Sequence, residues 1–289
     1  MPTKVEKDSV TGTLTTGHEW DGIKELNSPL PLWWLWVLYI TIGVSAVMWI
    51  LNPSWPWLTG YFGGLSGYSQ RAAVDEAMAE AAAEQDNYLQ RIAVADLGEI
   101  AQDGELLPFA LSGGAAAFAT NCAPCHGQGG AGRTGGFPSL ADDAWIWGGT
   151  LGDIHQTLLY GIRFAAYDET RQSMMPPWRD VLSREQIDDV AEYVLAMSDR
   201  EHDAEASARG QTVFLENCAS CHGEDGGGVQ ELGGPALNDA IWLYGDSKAA
   251  IVAQITAPKH GVMPGWVDRL SPETIKMLSV YVHTLGGGQ

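Results

Sequence analysis

Cysteine and positive charge are what this chain has least of. Only four cysteines stand among 289 residues, and they fall in two clusters, Cys122 with Cys125 and Cys218 with Cys221. None is left over for a structural disulfide or a free nucleophile, so a disulfide framework is excluded. Lysine and arginine number 16 against 36 aspartates and glutamates, for a formal net charge of −20. A nucleic-acid role needs a basic footprint and is disfavoured. From Ala101 onward 24 acidic residues stand against 11 basic ones, so the excess sits mainly in the cysteine-bearing part. It reads either as a solvated soluble surface or as a negative field that steers a basic partner. Histidines clustered as a copper site would need them are also missing.

Charge of either sign is absent between Glu25 and Arg71. Within that gap Leu32 to Leu51 reads LWWLWVLYITIGVSAVMWIL, and about twenty helical residues span the hydrocarbon core of a bilayer. Pro31 suits a first helical turn. Trp33, Trp34 and Trp36 at one end, with Trp49, Trp55 and Trp57 at the other, resemble interfacial belts. Residues 31–52 are therefore expected to form a transmembrane helix. Thirty residues precede the apolar run, which argues for an anchor rather than a cleaved signal peptide. Residues 1–30 read as a short exposed tail whose basic side chains are Lys4, Lys7 and Lys24, and the next basic residue beyond the run is Arg71. The positive-inside rule then leaves the N-terminus in the cytoplasm and the long C-terminal part in the periplasm. Residues 53–108 read as a connector: an interfacial turn at Gly60–Gly67, then a helix from Arg71 to about Ala95 whose apolar positions are mostly alanine and so pack shallowly. Pro108 and Gly113-Gly114 mark entry into the first compact domain.

Both cysteine clusters have the form Cys-x-x-Cys-His: Asn121-Cys122-Ala123-Pro124-Cys125-His126-Gly127, and Asn217-Cys218-Ala219-Ser220-Cys221-His222-Gly223. This reads as a covalent c-type haem attachment site. Thiols at i and i+3 share a helix face and can both reach the haem vinyl groups, and a histidine at i+4 on that face can approach the iron. One copy alone could be half a zinc site or chance; a histidine directly after the second cysteine, twice, argues against zinc and thioredoxin-like readings. Attachment of such haems takes place outside the bacterial cytoplasm, in agreement with the charge bias.

The motifs belong to an internal repeat. Gly114, Phe118 and Pro138 recur as Gly210, Phe214 and Pro235, and Trp145 recurs as Trp242. Met175-Pro176, Trp178, Ser183 and Tyr193 recur as Met263-Pro264, Trp266, Ser271 and Tyr281, and the first copy carries extra residues around Arg163–Gln172. The fold class is all-α: the anchor helix, then two tandem cytochrome c domains at 109–200 and 205–289, joined by a polar linker, Ser198–Ala206. Each domain should run helix, haem motif, glycine-rich loop, middle helix, Met-Pro loop and final helix. Ser183 and Ser271 are expected N-caps of the final helices. Phe118 and Phe214 are expected core aromatics packing on Tyr193 and Tyr281.

Two covalent haems c are expected, on Cys122 and Cys125 and on Cys218 and Cys221, with His126 and His222 as axial ligands. The ligand opposite the histidine decides between electron transfer and catalysis. Met175 and Met263 hold equivalent places, and a thioether raises the potential, as an electron carrier requires. Met174 is an alternative to Met175. His155 and His260 could give bis-histidine ligation, though neither recurs in the other copy.

The stretch His18-Glu19-Trp20-Asp21-Gly22-Ile23-Lys24-Glu25-Leu26-Asn27, with Pro29-Leu30-Pro31 and Trp33-Trp34, followed by tandem cytochrome domains, resembles the dihaem subunit III, CcoP or FixP type, of cbb3-type cytochrome c oxidases. The resemblance covers nearly the whole chain. It implies a non-catalytic subunit of the bacterial inner membrane, beside a monohaem cytochrome c subunit and a catalytic haem–copper subunit. Electrons would enter from a soluble or membrane-bound donor cytochrome c. Other readings are an anchored tandem carrier of the cytochrome c4 kind, a dihaem peroxidase-like enzyme, and a zinc or structural module.

Overall fold

The computed structural model describes residues 4–286; residues 1–3 and 287–289, at the extremes of the expected tail and second domain, lie outside the described residues. The chain is mainly helical and divides between Glu84 and Gln85 into two compact units.

In the first unit Thr15–Trp20 (β1) and Ile23–Leu26 (β2) pair as an antiparallel hairpin, with Trp20 opposite Ile23. Asp21 and Gly22 at its turn have φ of 50° and 88°, the doubly left-handed geometry that Asp-Gly adopts in two-residue hairpins. Glu25 accepts hydrogen bonds from Trp20 Nε1 and Thr16 Oγ1 across the strands, both at 3.1 Å. The expected exposed tail thus carries an ordered hairpin, and the Asp-Gly pair is its signal in the sequence.

Helix α1 (Leu32–Leu51) starts after Pro31 and has no buried side chain. Apolar on every face, it needs lipid or protein around it rather than water. Among the described residues it is the one helix long and apolar enough to cross a membrane, and it fits a membrane anchor. At its end Leu65 and Ser66 N–H donate to the Ile50 and Leu51 carbonyls at 3.0 and 2.9 Å, so the last turn is satisfied by chain folding back. Between lies a two-rung hairpin, β3 (Pro56–Trp57) with β4 (Gly60–Tyr61).

The alanine-rich connector is helix α2 (Gln70–Val94), whose one buried residue is Ile92. Lys276 Nζ caps its end by donating to the carbonyls of Ile92, Ala93 and Ala95 at 3.0, 2.8 and 2.7 Å. Helix α3 (Leu97–Gln102) begins with an Asp96/Glu99 capping box, and α4 (Leu106–Asn121) follows. Pro108 sits in the first turn of α4, where its missing N–H costs nothing, and Gly113-Gly114 follow inside the same helix, which leads into the first Cys-x-x-Cys-His motif. Then come α5 (Ala123–His126), α6 (Leu151–Tyr160), α7 (Arg184–Met197), α8 (Ala204–Asn217), α9 (Ala219–His222), α10 (Lys248–Thr256) and α11 (Pro272–His283). Ser183 and Ser271 cap α7 and α11 through the N–H groups of Gln186 and Thr274.

The helices pack crosswise with respect to the repeat. The final helix of the first copy, α7, lies on α8 of the second, and the final helix of the second, α11, lies on α4 of the first. One core joins Phe118, Cys122, Ile154 and Leu158 to Trp266, Ile275, Leu278 and Val282. The other joins Leu182, Ile187, Val190 and Val194 to Phe214, Cys218, Ile251 and Ile255. The aromatic pairs are accordingly Phe118 with Tyr281 and Phe214 with Tyr193, where each phenylalanine would have met its own copy's tyrosine in two sequential domains. The glycines explain how close the crossings are: a Cβ on Gly114 would collide with the Met277 carbonyl and Tyr281, and one on Gly210 with the Asp189 carbonyl. The expected linker, Ser198–Ala206, runs into α8 at Ala204. Residues 198–203 form the loop of the α7–α8 hairpin, with Arg200 N–H on the Leu195 carbonyl at 2.9 Å and Asp203 capping α8.

Candidate functional site

Each Cys-x-x-Cys-His motif occupies the bend between a long helix and a single-turn helix. Cys122 ends α4 and starts α5, with Cys125 and His126 N–H returning to its carbonyl at 3.1 and 2.9 Å; Cys218, Cys221 and His222 repeat this at 3.1 and 3.0 Å. Cys122 and Cys218 are buried and Cys125 and Cys221 exposed. Burial, and secondarily the neighbouring cysteine, pushes the Cys122 and Cys218 thiols up to about 11. Gly127 and Gly223 both have φ of 78°, a conformation open to glycine, and turn the chain directly after each histidine.

His126 Nδ1 lies 3.0 Å from the Pro138 carbonyl and His222 Nδ1 2.9 Å from the Pro235 carbonyl. A carbonyl only accepts, so Nδ1–H donates and Nε2 keeps its lone pair for a metal. Burial holds both imidazoles below the usual histidine range, opposed by those carbonyl bonds, so both are neutral as ligands must be.

Both motifs open on one cavity of about 520 Å³ that is walled mainly by apolar and aromatic side chains. Cys122, Cys125 and His126 line it together with Cys218, Cys221 and His222, and so do Met175 and Met263. The cross-packing decides which methionine accompanies which motif: Met263 packs in the core of Phe118 and Cys122, and Met175 in the core of Phe214 and Cys218. Met174 also reaches the cavity wall but is 69% exposed, as expected of a residue facing outward beside an inward Met175. His260 lines the cavity with its Nε2 3.2 Å from the Met175 carbonyl, while His155 on α6 is not among the lining residues. Trp242 Nε1, also in the wall, is among the described residues the buried side-chain donor without a hydrogen-bond partner. An orphan donor in a cavity with paired thiols and two neutral imidazoles fits a flat apolar group that carries its own acceptors, as haem carries carboxylates. His260, a candidate iron ligand by sequence, instead spends its Nε2 on the Met175 carbonyl, and no residue pattern marks Trp242, Arg163 or the two proline carbonyls as parts of the site. Only the recurrence of Pro138 as Pro235 hinted at the last.

A mainly helical chain with two such motifs, and with a helix that fits a membrane anchor, is of the c-type cytochrome class. The model for the N-terminal domain of cytochrome oxidase-cbb3, FixP, matches residues 12–59. That for cytochrome c oxidase, cbb3-type, subunit III, matches residues 109–194 and 205–282. The chain is 48% identical to the cbb3-type cytochrome c oxidase subunit FixP of Sinorhizobium medicae, over 98% of this chain and 97% of the relative. It is 48% identical to subunit CcoP of Azospirillum brasilense, over 98% and 99% of the two chains. To subunit CcoP of Cereibacter sphaeroides it is 47% identical, with both chains covered in full. The chain belongs to the subunit III family of cbb3-type cytochrome c oxidases. It is a haem c-binding, non-catalytic electron-transfer subunit of that oxidase complex.

Proposed function

We propose that this subunit holds two haems c and relays electrons one at a time from a donor cytochrome c to the catalytic haem–copper subunit, beside the monohaem cytochrome c subunit. One haem would be joined to Cys122 and Cys125 with His126 and Met263 as axial ligands. The other would be joined to Cys218 and Cys221 with His222 and Met175. The observation that carries this reading is that both attachment motifs and both methionines line one cavity. When bound, each haem supplies a one-electron carrier whose potential a methionine ligand raises. The chain's part is to fix the imidazole tautomers through Pro138 and Pro235, to present the thioethers, and to keep water away with its aromatic wall. With α1 as anchor, the lysines before it favour a cytoplasmic N-terminus and periplasmic haem units.

The pairing is tested on chains that keep a single attachment motif. With Cys218 and Cys221 changed to alanine, Met263→His should abolish the weak far-red absorption of a methionine-ligated ferric haem, and Met175→His should leave it. The opposite outcome would assign each methionine to its own repeat. The relay is tested by gentle detergent purification with subunit identification; recovery without copper or haem b would point to a different reductase.

A further inference from the structure

The extra residues of the first repeat around Arg163–Gln172 have no counterpart in the second and are not needed by the attachment motifs. They begin where α6 ends. There Ile162 N–H donates to the Met263 carbonyl at 2.9 Å and Met263 N–H returns to the Ile162 carbonyl at 3.0 Å. Arg163 follows with φ of 51°, an uncommon backbone state for a residue with a Cβ. Its side chain spans two loops: Nε donates to the Gly261 carbonyl at 2.7 Å and Nη1 to the Ser173 carbonyl at 3.0 Å. Gly261 stands two residues before Met263, and Ser173 two before Met175. A second tie runs the same way, since His260 Nε2–H donates to the Met175 carbonyl at 3.2 Å. Arg163 makes no salt bridge among the described residues. Its fork is spent on backbone carbonyls and not on a surface carboxylate.

We propose that Arg163 and His260 clamp the two methionine loops into one mechanical unit, so that loosening one thioether weakens the hold of the other. This rests on the reading of Met175 and Met263 as axial ligands. Arg163 is then a positioning residue for both sites at once, and the coupling is reciprocal, because it is one equilibrium between a closed and an open pair of loops. The asymmetry of the repeat follows: one copy needs the extra loop to supply a clamp, and a second clamp would be redundant.

Imidazole added to the oxidised, haem-loaded full chain competes with each methionine, and nuclear magnetic resonance of the haem methyl groups reads the two sites separately. Arg163→Met should raise imidazole affinity about tenfold at both haems, since each loop loses one hydrogen bond from a charged donor. His260→Ala, the milder variant, should raise it by a smaller factor at both haems, because it loosens the same closed pair of loops. Arg163→Lys should behave like Arg163→Met, because one ammonium lacks the planar fork that spans two carbonyls. A change at one haem only, a change at neither, or full restoration by lysine would overturn the clamp, the last by reducing it to a charge effect. Met175→Ala and Met263→Ala in the same titration separate the two readings. If each opens its own haem while Arg163→Met opens neither, the clamp alone fails; if neither opens a haem, the ligand assignment fails first.

Discussion

Phe118 on α4 stacks at a tilt against Tyr281 on α11, with ring centroids 5.5 Å apart, although the two belong to different copies of the repeat. The mirrored pair, Tyr193 with Phe214, is at 5.3 Å. Each core is thus completed by a helix that the chain supplies from the other copy, and cutting between copies removes a wall from both.

A chain ended after Arg200 should fail to keep the first copy of the repeat folded. It loses Ile275, Leu278 and Val282, all buried against Phe118 and Leu158. Such side chains are each worth roughly 1.5–3 kcal/mol, about 4.5–9 kcal/mol together, as much as many whole domains possess. Limited proteolysis should degrade it quickly, and adding residues 201–289 as a separate chain should restore resistance. A truncated chain as resistant as the intact one would show that the first copy folds by itself.

Gly114→Val and Gly210→Val should each lower thermal stability, because the new side chain meets the backbone of the crossing helix. Overpacking of this kind costs about 1–3 kcal/mol. By the crosswise arrangement, Gly114→Val loosens α11, while Gly210→Val loosens α7. Hydrogen exchange should locate the effect in those helices; protection lost instead in the mutated copy's own final helix would contradict the packing.

The helices were legible in the sequence because their signals are local: an uncharged apolar run for α1, alanine-rich spacing for α2, serine caps for α7 and α11, and the attachment motifs themselves. The pairing of helices was not, because repeat-equivalent residues make chemically identical partners. Tyr193 and Tyr281 offer the same ring to Phe118, so only loop geometry selects between them, and the short turn from Ser198 to Asp203 forces α7 onto α8. The N-terminal hairpin was missed since its strands bury little, leaving Asp21-Gly22 as its one strong signal. Arg163 and His260 were invisible as a pair because what they bind is backbone, which no residue pattern advertises.

Glu192, 6% exposed on α7, gives a pH dependence with a definite sign. Burial pushes its carboxyl up, but Lys248 Nζ at 2.8 Å and the Asp203 N–H at 2.9 Å outweigh that and hold it below its ordinary value of 4.5. A depressed carboxyl stabilises the fold above its unfolded value and loses that contribution as pH falls through the folded one. Glu192→Gln should therefore lower the melting temperature at neutral pH, and the gap to the unmodified chain should close as the carboxyl is protonated on acidification below its ordinary value of 4.5. Melting curves across that range check it, and a gap that widens on acidification would reverse the sign.

The acidic surface yields a kinetic prediction. With a net charge of −20, the chain attracts a basic donor cytochrome over distances that salt shortens to about 10 Å at 0.1 M. Steering raises the encounter rate more than the affinity of the docked pair. Oxidation of a basic donor cytochrome c by the purified oxidase should therefore slow as ionic strength rises, with the loss in the second-order rate at low donor concentration and little in the rate at saturation. An acidic donor should show the opposite trend, its rate rising as screening relieves repulsion. If both donors respond alike, or neither responds, the negative charge serves solubility and does not guide the donor.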